Sequence, residues 1–185
     1  GPFQDLGEKL GRIHFGVETG DPHLLKLLQK GITIDQARAA FGAANQAGVE
    51  TLAYFMVGLP GETPATLAST LELAKELKPD FVHFSVLIPF PGTPIYKMAI
   101  ERGVIKSDVW AEFAKDPRPD FLPPVWEETL KSDEILAALS RMYRSFYRQP
   151  RVIFNRLSRV RSLSGLWSGA RLGLRGAARL LRLRG

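Results

Sequence analysis

The sequence predicts an α/β fold built on a parallel sheet, and three observations carry that prediction. Three short apolar runs, at 12–17, 50–57 and 81–88, each end in a glycine- or proline-rich turn that leads into a helical pattern. The second and third runs are apolar nearly throughout, which suits strands buried on both faces by flanking helices. Strand–loop–helix units in succession imply parallel pairing through right-handed crossovers. Three strands make an incomplete sheet, whether the parent is an open sheet or an eight-unit barrel. With the missing initiator methionine, the 185 residues read as a fragment of a longer chain.

The elements follow in order. After the first run, Asp21 is placed to cap a helix with Pro22 at its first position, and Lys30-Gly31 is placed to end it. A second helix runs from Thr33 to Ala47, with Thr33 as its cap and Gly48 as its stop. The second strand ends at Gly58, turns through Pro60-Gly61, and delivers Glu62 and Thr63 to a helix that reaches about Leu77. The third strand meets the rigid Pro89–Pro94 loop and a short helix from Ile95 to Glu101. Residues 108–126 combine four aromatics with four prolines and are expected to form an irregular segment packed across a surface. A helix is expected from Ser132 to Gln149, divided by Pro150 from a basic tail. The expected division is 1–107, 108–149 and 150–185.

Composition excludes several classes. The chain has no cysteine, so it holds no disulfide and no thiolate metal site. His14, His23 and His83 have no metal-ligand spacing, and His14 and His83 are read as pocket wall or satisfied core. No apolar run approaches the ~20 residues of a membrane span. The net charge of +6 is uneven: the 151–185 tail holds nine of the 25 basic residues and no acid, which leaves 16 basic against 19 acidic residues in the rest, or −3.

Ligands in α/β folds bind at the carboxyl ends of strands. There Gly16-Val-Glu-Thr-Gly20 and Phe55-Met-Val-Gly-Leu-Pro-Gly-Glu-Thr63 each set glycine beside glutamate, and Ile88-Pro-Phe-Pro-Gly-Thr93 adds an apolar wall. Glycine admits a close ligand, and a carboxylate grips hydroxyls or an ammonium group. The alternative is turn glycines with solvated acids. The Gly58–Thr63 loop lacks the Gly-Lys-Ser/Thr ending of a phosphate loop, which disfavours a nucleoside triphosphatase.

These motifs, with Leu27-Leu-Gln-Lys-Gly-Ile-Thr33 and Ile88-Pro-Phe-Pro-Gly-Thr-Pro-Ile-Tyr96, resemble radical SAM enzymes, and more narrowly the branch that often carries an upstream cobalamin-binding domain. Tyr143–Arg151 is similar to the C-terminal part of that branch. The resemblance implies that residues 1–107 are the last three units of a partial (βα)6 barrel. It also implies S-adenosylmethionine as cofactor, with Glu18 and Thr19 on the ribose and Val57, Gly58 and Glu62 on the adenine side. Leu87, Ile88 and Phe90 would line the adenine. Lys30 reaches the methionine carboxylate or only meets a helix dipole; Glu62 is a ligand or a helix-capping acid. The family holds a [4Fe-4S] cluster on a C-x3-C-x2-C loop, so its ligands must lie outside this chain. No residue here is assigned as catalytic or as a metal ligand. The implied partners are the missing N-terminal half of the barrel and an upstream cobalamin-binding domain, with cobalamin as the branch's further cofactor. The complete enzyme would generate a 5′-deoxyadenosyl radical for methylation, cyclisation or related C–H chemistry; this chain alone would be inactive.

The tail alternates arginine with Leu, Val, Ile and Trp, and Leu172–Arg184 patterns as a basic amphipathic helix weakened by glycines. It suits an anionic membrane surface through residues 151–185, hence a cytoplasmic protein peripheral to the membrane. A solvated terminus is the plain alternative. Nucleic acid fits less well, because few stacking aromatics accompany the arginines. Two rival readings are another adenine-cofactor βα-barrel enzyme and a degenerate, non-enzymatic membrane-surface module.

Overall fold

The computed structural model describes residues 11–158, with side chains as far as Asn155. The basic tail beyond 158, including the amphipathic pattern at Leu172–Arg184 and its membrane partner, lies outside the described residues. Three parallel strands, β1 (Ile13–Glu18), β2 (Thr51–Val57) and β3 (Phe81–Val86), form one sheet in the order β1-β2-β3. The crossovers are α1 (Pro22–Leu27) with α2 (Ile34–Gln46), and α3 (Pro64–Glu76); α4 (Pro94–Glu101) follows β3.

Capping chemistry explains the helix starts. Asp21 accepts from the His23 and Leu24 amides at 2.9 Å each, and Pro22 occupies the first turn. Thr33 and Thr63 each form a reciprocal capping box, with Gln36 and Thr66 respectively. Helix α1 closes earlier than Lys30-Gly31 suggests: Leu28 is its cap, Gln29 turns left-handed at φ 51°, and Lys30 is released into the loop.

Thr51, Ala53, Phe55 and Val57 are fully buried under helices, while Leu52, Tyr54 and Met56 are half-buried and His14 and His83 are exposed. The expectation of strands covered on both faces is corrected. One face packs against helices, as in the Phe15–Phe41 ring contact, and the other is open. His14 and His83 stand on that open face, so the reading of either as satisfied core is also corrected.

Two further elements depart from the sequence reading. Within the proline- and aromatic-rich segment, Asp108 caps a short helix, α5 (Val109–Lys115), so that stretch is not wholly irregular. Helix α6 spans Ser132–Tyr147, and Pro150 starts α7 (Pro150–Ser158) rather than separating helix from tail, because proline is well tolerated in a first turn. The chain divides into two compact units, one ending at Phe146 and one beginning at Tyr147; α7 belongs to the second.

The free edge of β3 is covered by α6. The Tyr143 hydroxyl accepts from the Phe84 amide at 2.9 Å and donates to the Phe84 carbonyl at 3.0 Å, while the two rings meet edge-on. One side chain thus satisfies both edge groups of a buried strand residue. Tyr143→Phe keeps the ring contact and strands both groups, so denaturant unfolding should show a loss of about 1–3 kcal/mol. An unchanged midpoint would mean that the edge does not depend on this hydroxyl.

Candidate functional site

The carboxyl ends of the three strands are joined by apolar side chains from the connections that follow them. Leu24, Leu59 and Leu87 pack in one cluster with Ala99, Ile105 and the buried Trp126.

At the end of β1 the register slips between Gly16 and Glu18, and Glu18 adopts a left-handed φ of 70°. Bulges and positive φ in non-glycine residues concentrate at functional sites, where they re-aim a side chain. Here the Glu18 carboxylate turns back over Gly16 and meets Lys30 Nζ at 2.5 Å. A Cβ at position 16 would stand 2.7 Å from Glu18 Oε1 and 2.9 Å from Lys30 Nζ. The ion pair therefore occupies the space that Gly16 vacates. Lys30 is loop-borne and paired with Glu18, which corrects its reading as a helix-ending lysine that meets only the dipole. Its side chain keeps 38% exposure, and that of Glu18 keeps 14%.

Thr19 is fully buried. Its hydroxyl lies 3.1 Å from that of Thr70 on α3 and accepts from the Asp21 amide at 3.2 Å. The Gly20 amide donates to Thr70 Oγ1 at 2.9 Å, and a Cβ at Gly20 would collide with the backbone of Ser69 and Thr70. The Thr19 side chain, expected on the ribose, is thus turned toward α3 and serves to seat the loop.

At the end of β2, Gly58 and Gly61 take φ values of 76° and 73°, the left-handed turns that glycine makes readily. The Glu62 carboxylate, only 1% exposed, folds back inside the loop, where Oε2 accepts from the Gly58 amide at 2.5 Å and from the Leu59 amide at 3.3 Å. Oε1 is buried without a hydrogen-bond partner among the described residues. Burial pushes the Glu62 carboxyl up to about 7, and the two amides only partly oppose that rise. Thr63 caps α3, so the reading of Glu62 as a helix cap is corrected, and its bound oxygen braces the loop instead. Val57, expected on the adenine side, points into the helix-covered layer and is fully buried.

The outer side of the same loop is held by a residue that sequence reasoning missed. Glu128 Oε2 accepts from the Gly61 amide at 3.2 Å and from the Trp126 indole at 3.0 Å, and Oε1 meets Arg102 at 3.1 Å. The Trp126 hydrogen bond, then Arg102, holds the Glu128 carboxyl below the usual range. No local pattern announces a contact that spans 67 positions.

At the end of β3, Leu87 is buried and Ile88 half-buried, while Phe90 is 52% exposed. The Phe90 ring is backed by Trp110 at 5.0 Å, whose indole donates to the Pro89 carbonyl at 3.0 Å. The structure thus brings together Glu18 with Lys30, Gly58 with Glu62, and Leu87 with Leu24 and Leu59. Thr19 and Val57 are turned away from the open side. Among the described residues no cluster of His, Asp and Glu could hold a metal, and no helix is long and apolar enough to cross a membrane.

The profile of the Radical SAM superfamily matches residues 2–103. An uncharacterized methyltransferase of Pyrococcus horikoshii is 30% identical over 142 residues, covering 76% of this chain and 30% of its own length. The anaerobic magnesium-protoporphyrin IX monomethyl ester cyclase of Cereibacter sphaeroides is 28% identical over 142 residues, covering 75% of this chain and 22% of its own. The chain thus spans less than a third of either relative. Among solved structures, the coproporphyrinogen III oxidase of Escherichia coli, a radical SAM enzyme, superposes with a TM-score of 0.50 at 19% identity, over 76% of this chain and 27% of that one. At that identity the likeness concerns the fold alone.

The buried Glu62 has a measurable consequence. Its folded value lies above the ordinary 4.5, so its contribution to stability is complete below about pH 4.5 and is lost as pH rises through about 7. That loss is on the order of 3 kcal/mol. Unfolding free energies of the chain and of Glu62→Gln, measured from about pH 4 to about pH 8, should show the slope in the parent and its absence in the variant. Equal slopes in both would assign the pH dependence to other groups.

Proposed function

We propose, from the premise that this chain belongs to the Radical SAM superfamily, that it supplies the S-adenosylmethionine-binding part of a radical SAM enzyme. The observation that carries this reading is the Glu18–Lys30 pair, re-aimed by the bulge and seated over Gly16 on the open side of the strand ends.

The residues present fit this cofactor. Its amino-acid end is a zwitterion, and an ion pair of one carboxylate and one ammonium is its charge complement. A partly exposed pair is worth about 1 kcal/mol or less, so it opens at small cost when each member finds an opposite charge on the ligand. Lys30 Nζ then donates to the methionine carboxylate, and Glu18 accepts from the ammonium group or the ribose hydroxyls. Ile88 and Phe90 offer an apolar flank for the adenine, and Gly61, exposed in the turn after β2 with open space at its Cβ position, offers close approach; the Cβ side of Gly58 faces Ile135 instead. Glu62 and Glu128 act on that turn from inside and outside. When bound, S-adenosylmethionine supplies the family's radical chemistry; the chain's residues orient it and shield it from water.

The [4Fe-4S] cluster does not fit this chain, which has no cysteine to hold it. Its ligands belong to a separate segment, and the N-terminal half of the barrel is the partner that this reading requires. Methylation, cyclisation or related C–H chemistry by the complete enzyme is part of this proposal, in keeping with relatives named as a methyltransferase and a cyclase; an upstream cobalamin-binding domain with its cobalamin belongs to the same proposal.

Binding calorimetry with S-adenosylmethionine and with 5′-methylthioadenosine, which lacks the amino-acid end, tests this reading. The protein should bind S-adenosylmethionine more tightly, and Lys30→Met or Glu18→Gln should erase most of that preference, about tenfold each. Equal affinity for both ligands in the unaltered protein would reject the assignment of the ion pair.

A further inference from the structure

We infer that the open face of the sheet carries a second small-molecule site, lined by His14, Tyr54 and His83, that takes a planar molecule bearing a carboxylate. It rests on the reading above in one respect: with S-adenosylmethionine at Glu18 and Lys30, this row is the substrate side of the same site.

The register sets the row. Gly16 of β1, Tyr54 of β2 and His83 of β3 are in-register partners, and His14 lies two residues below Gly16 on the same face. The Tyr54 hydroxyl is 3.1 Å from His14 Nδ1, and the rings stand 5.7 Å apart; on the other side, Tyr54 meets His83 edge-on at 5.5 Å. Since Gly16 brings no side chain, the position beside Tyr54 on β1 is filled by Glu18 and Lys30. The row therefore adjoins the ion pair directly.

Two exposed imidazoles and a half-buried phenol are unsuited to a face that another helix would cover, because each would need a buried partner. They suit a site where a few polar groups converge on apolar walls, here Leu52 and Met56. Their chemistry favours an acceptor. With Tyr54 and His14 bonded to each other, the second nitrogen of His14 remains available, and the His83 ring, which meets Tyr54 edge-on, makes no side-chain hydrogen bond among the described residues. The carboxylates nearest the row are already paired, Glu18 with Lys30 and Glu50 with Arg12. The face thus offers donors without a free acid, and the three rings, tilted at 50° and 65° to one another, offer faces and edges to an aromatic partner.

The test follows the histidine ring signals by NMR in the protein as its gene encodes it, titrated with isophthalate and, separately, with the neutral isophthalamide. His23, exposed on α1 and away from the row, is the internal control. Isophthalate should move the His14 and His83 signals and leave His23 in place, and it should bind at least about tenfold more tightly than the amide. His83→Ala, at an exposed position, should weaken isophthalate binding by about the same factor, with S-adenosylmethionine affinity unchanged. Equal response to acid and amide, or equal movement of His23, would overturn the inference. If S-adenosylmethionine binds and isophthalate does not, the second site falls and the cofactor reading stands. If isophthalate binds and S-adenosylmethionine does not, the cofactor reading falls and the carboxylate site stands.

Discussion

The site depends on one local distortion, the slip of register at the end of β1 that leaves Glu18 in a left-handed conformation over Gly16. In a regular strand the Glu18 side chain would share the face of Gly16 but stand two residues further along. The slip brings it back across the strand, where it meets a lysine that α1 has released into its loop. Left-handed φ costs a non-glycine residue about 1–3 kcal/mol, so the surroundings must hold it. They do so through the Thr19–Thr70 contact and the close seating of Gly20 on α3, both just downstream of Glu18.

A division of labour follows among the strand-end residues. Those placed outward, Glu18, Lys30 and Phe90, have exposure to offer a ligand. Those placed inward, Thr19, Val57 and Glu62, are buried in support of the loops. Glu62 is the clearest of the second kind, because it holds two loop amides with one oxygen while the other has no partner among the described residues. Glu128 extends that support to a part of the chain beyond the family match at 2–103, so the geometry of the glycine loop depends on the segment after the barrel units.

The sequence was legible where the physics is local. Proline and threonine at helix starts, glycine at left-handed turns and apolar runs at strands each act within a few residues, and the three βα units follow from them. It was illegible where burial is decided by distant partners. Leu52 and Met56 lie in an apolar run that reads as doubly buried, yet both are only half-buried, Met56 against the strand-end cluster, and the alternating histidines and Tyr54 carried the signal instead. Glu62 reads as a ligand or a cap because its motif says only that a carboxylate follows a glycine turn; which way it turns is set by the fold-back of the loop. Lys30 and Glu18 lie 12 positions apart in separate motifs, and the bulge at the end of β1 brings them to 2.5 Å.

The central claim is that the Glu18–Lys30 pair is a closed form of a zwitterion site. A structure of the protein determined with S-adenosylmethionine bound tests it most directly. The account predicts the methionine carboxylate on Lys30, the ammonium group or ribose on Glu18, the 2.5 Å ion pair opened, and the adenine against Ile88 and Phe90. A ligand bound elsewhere with the Glu18–Lys30 pair intact would contradict it.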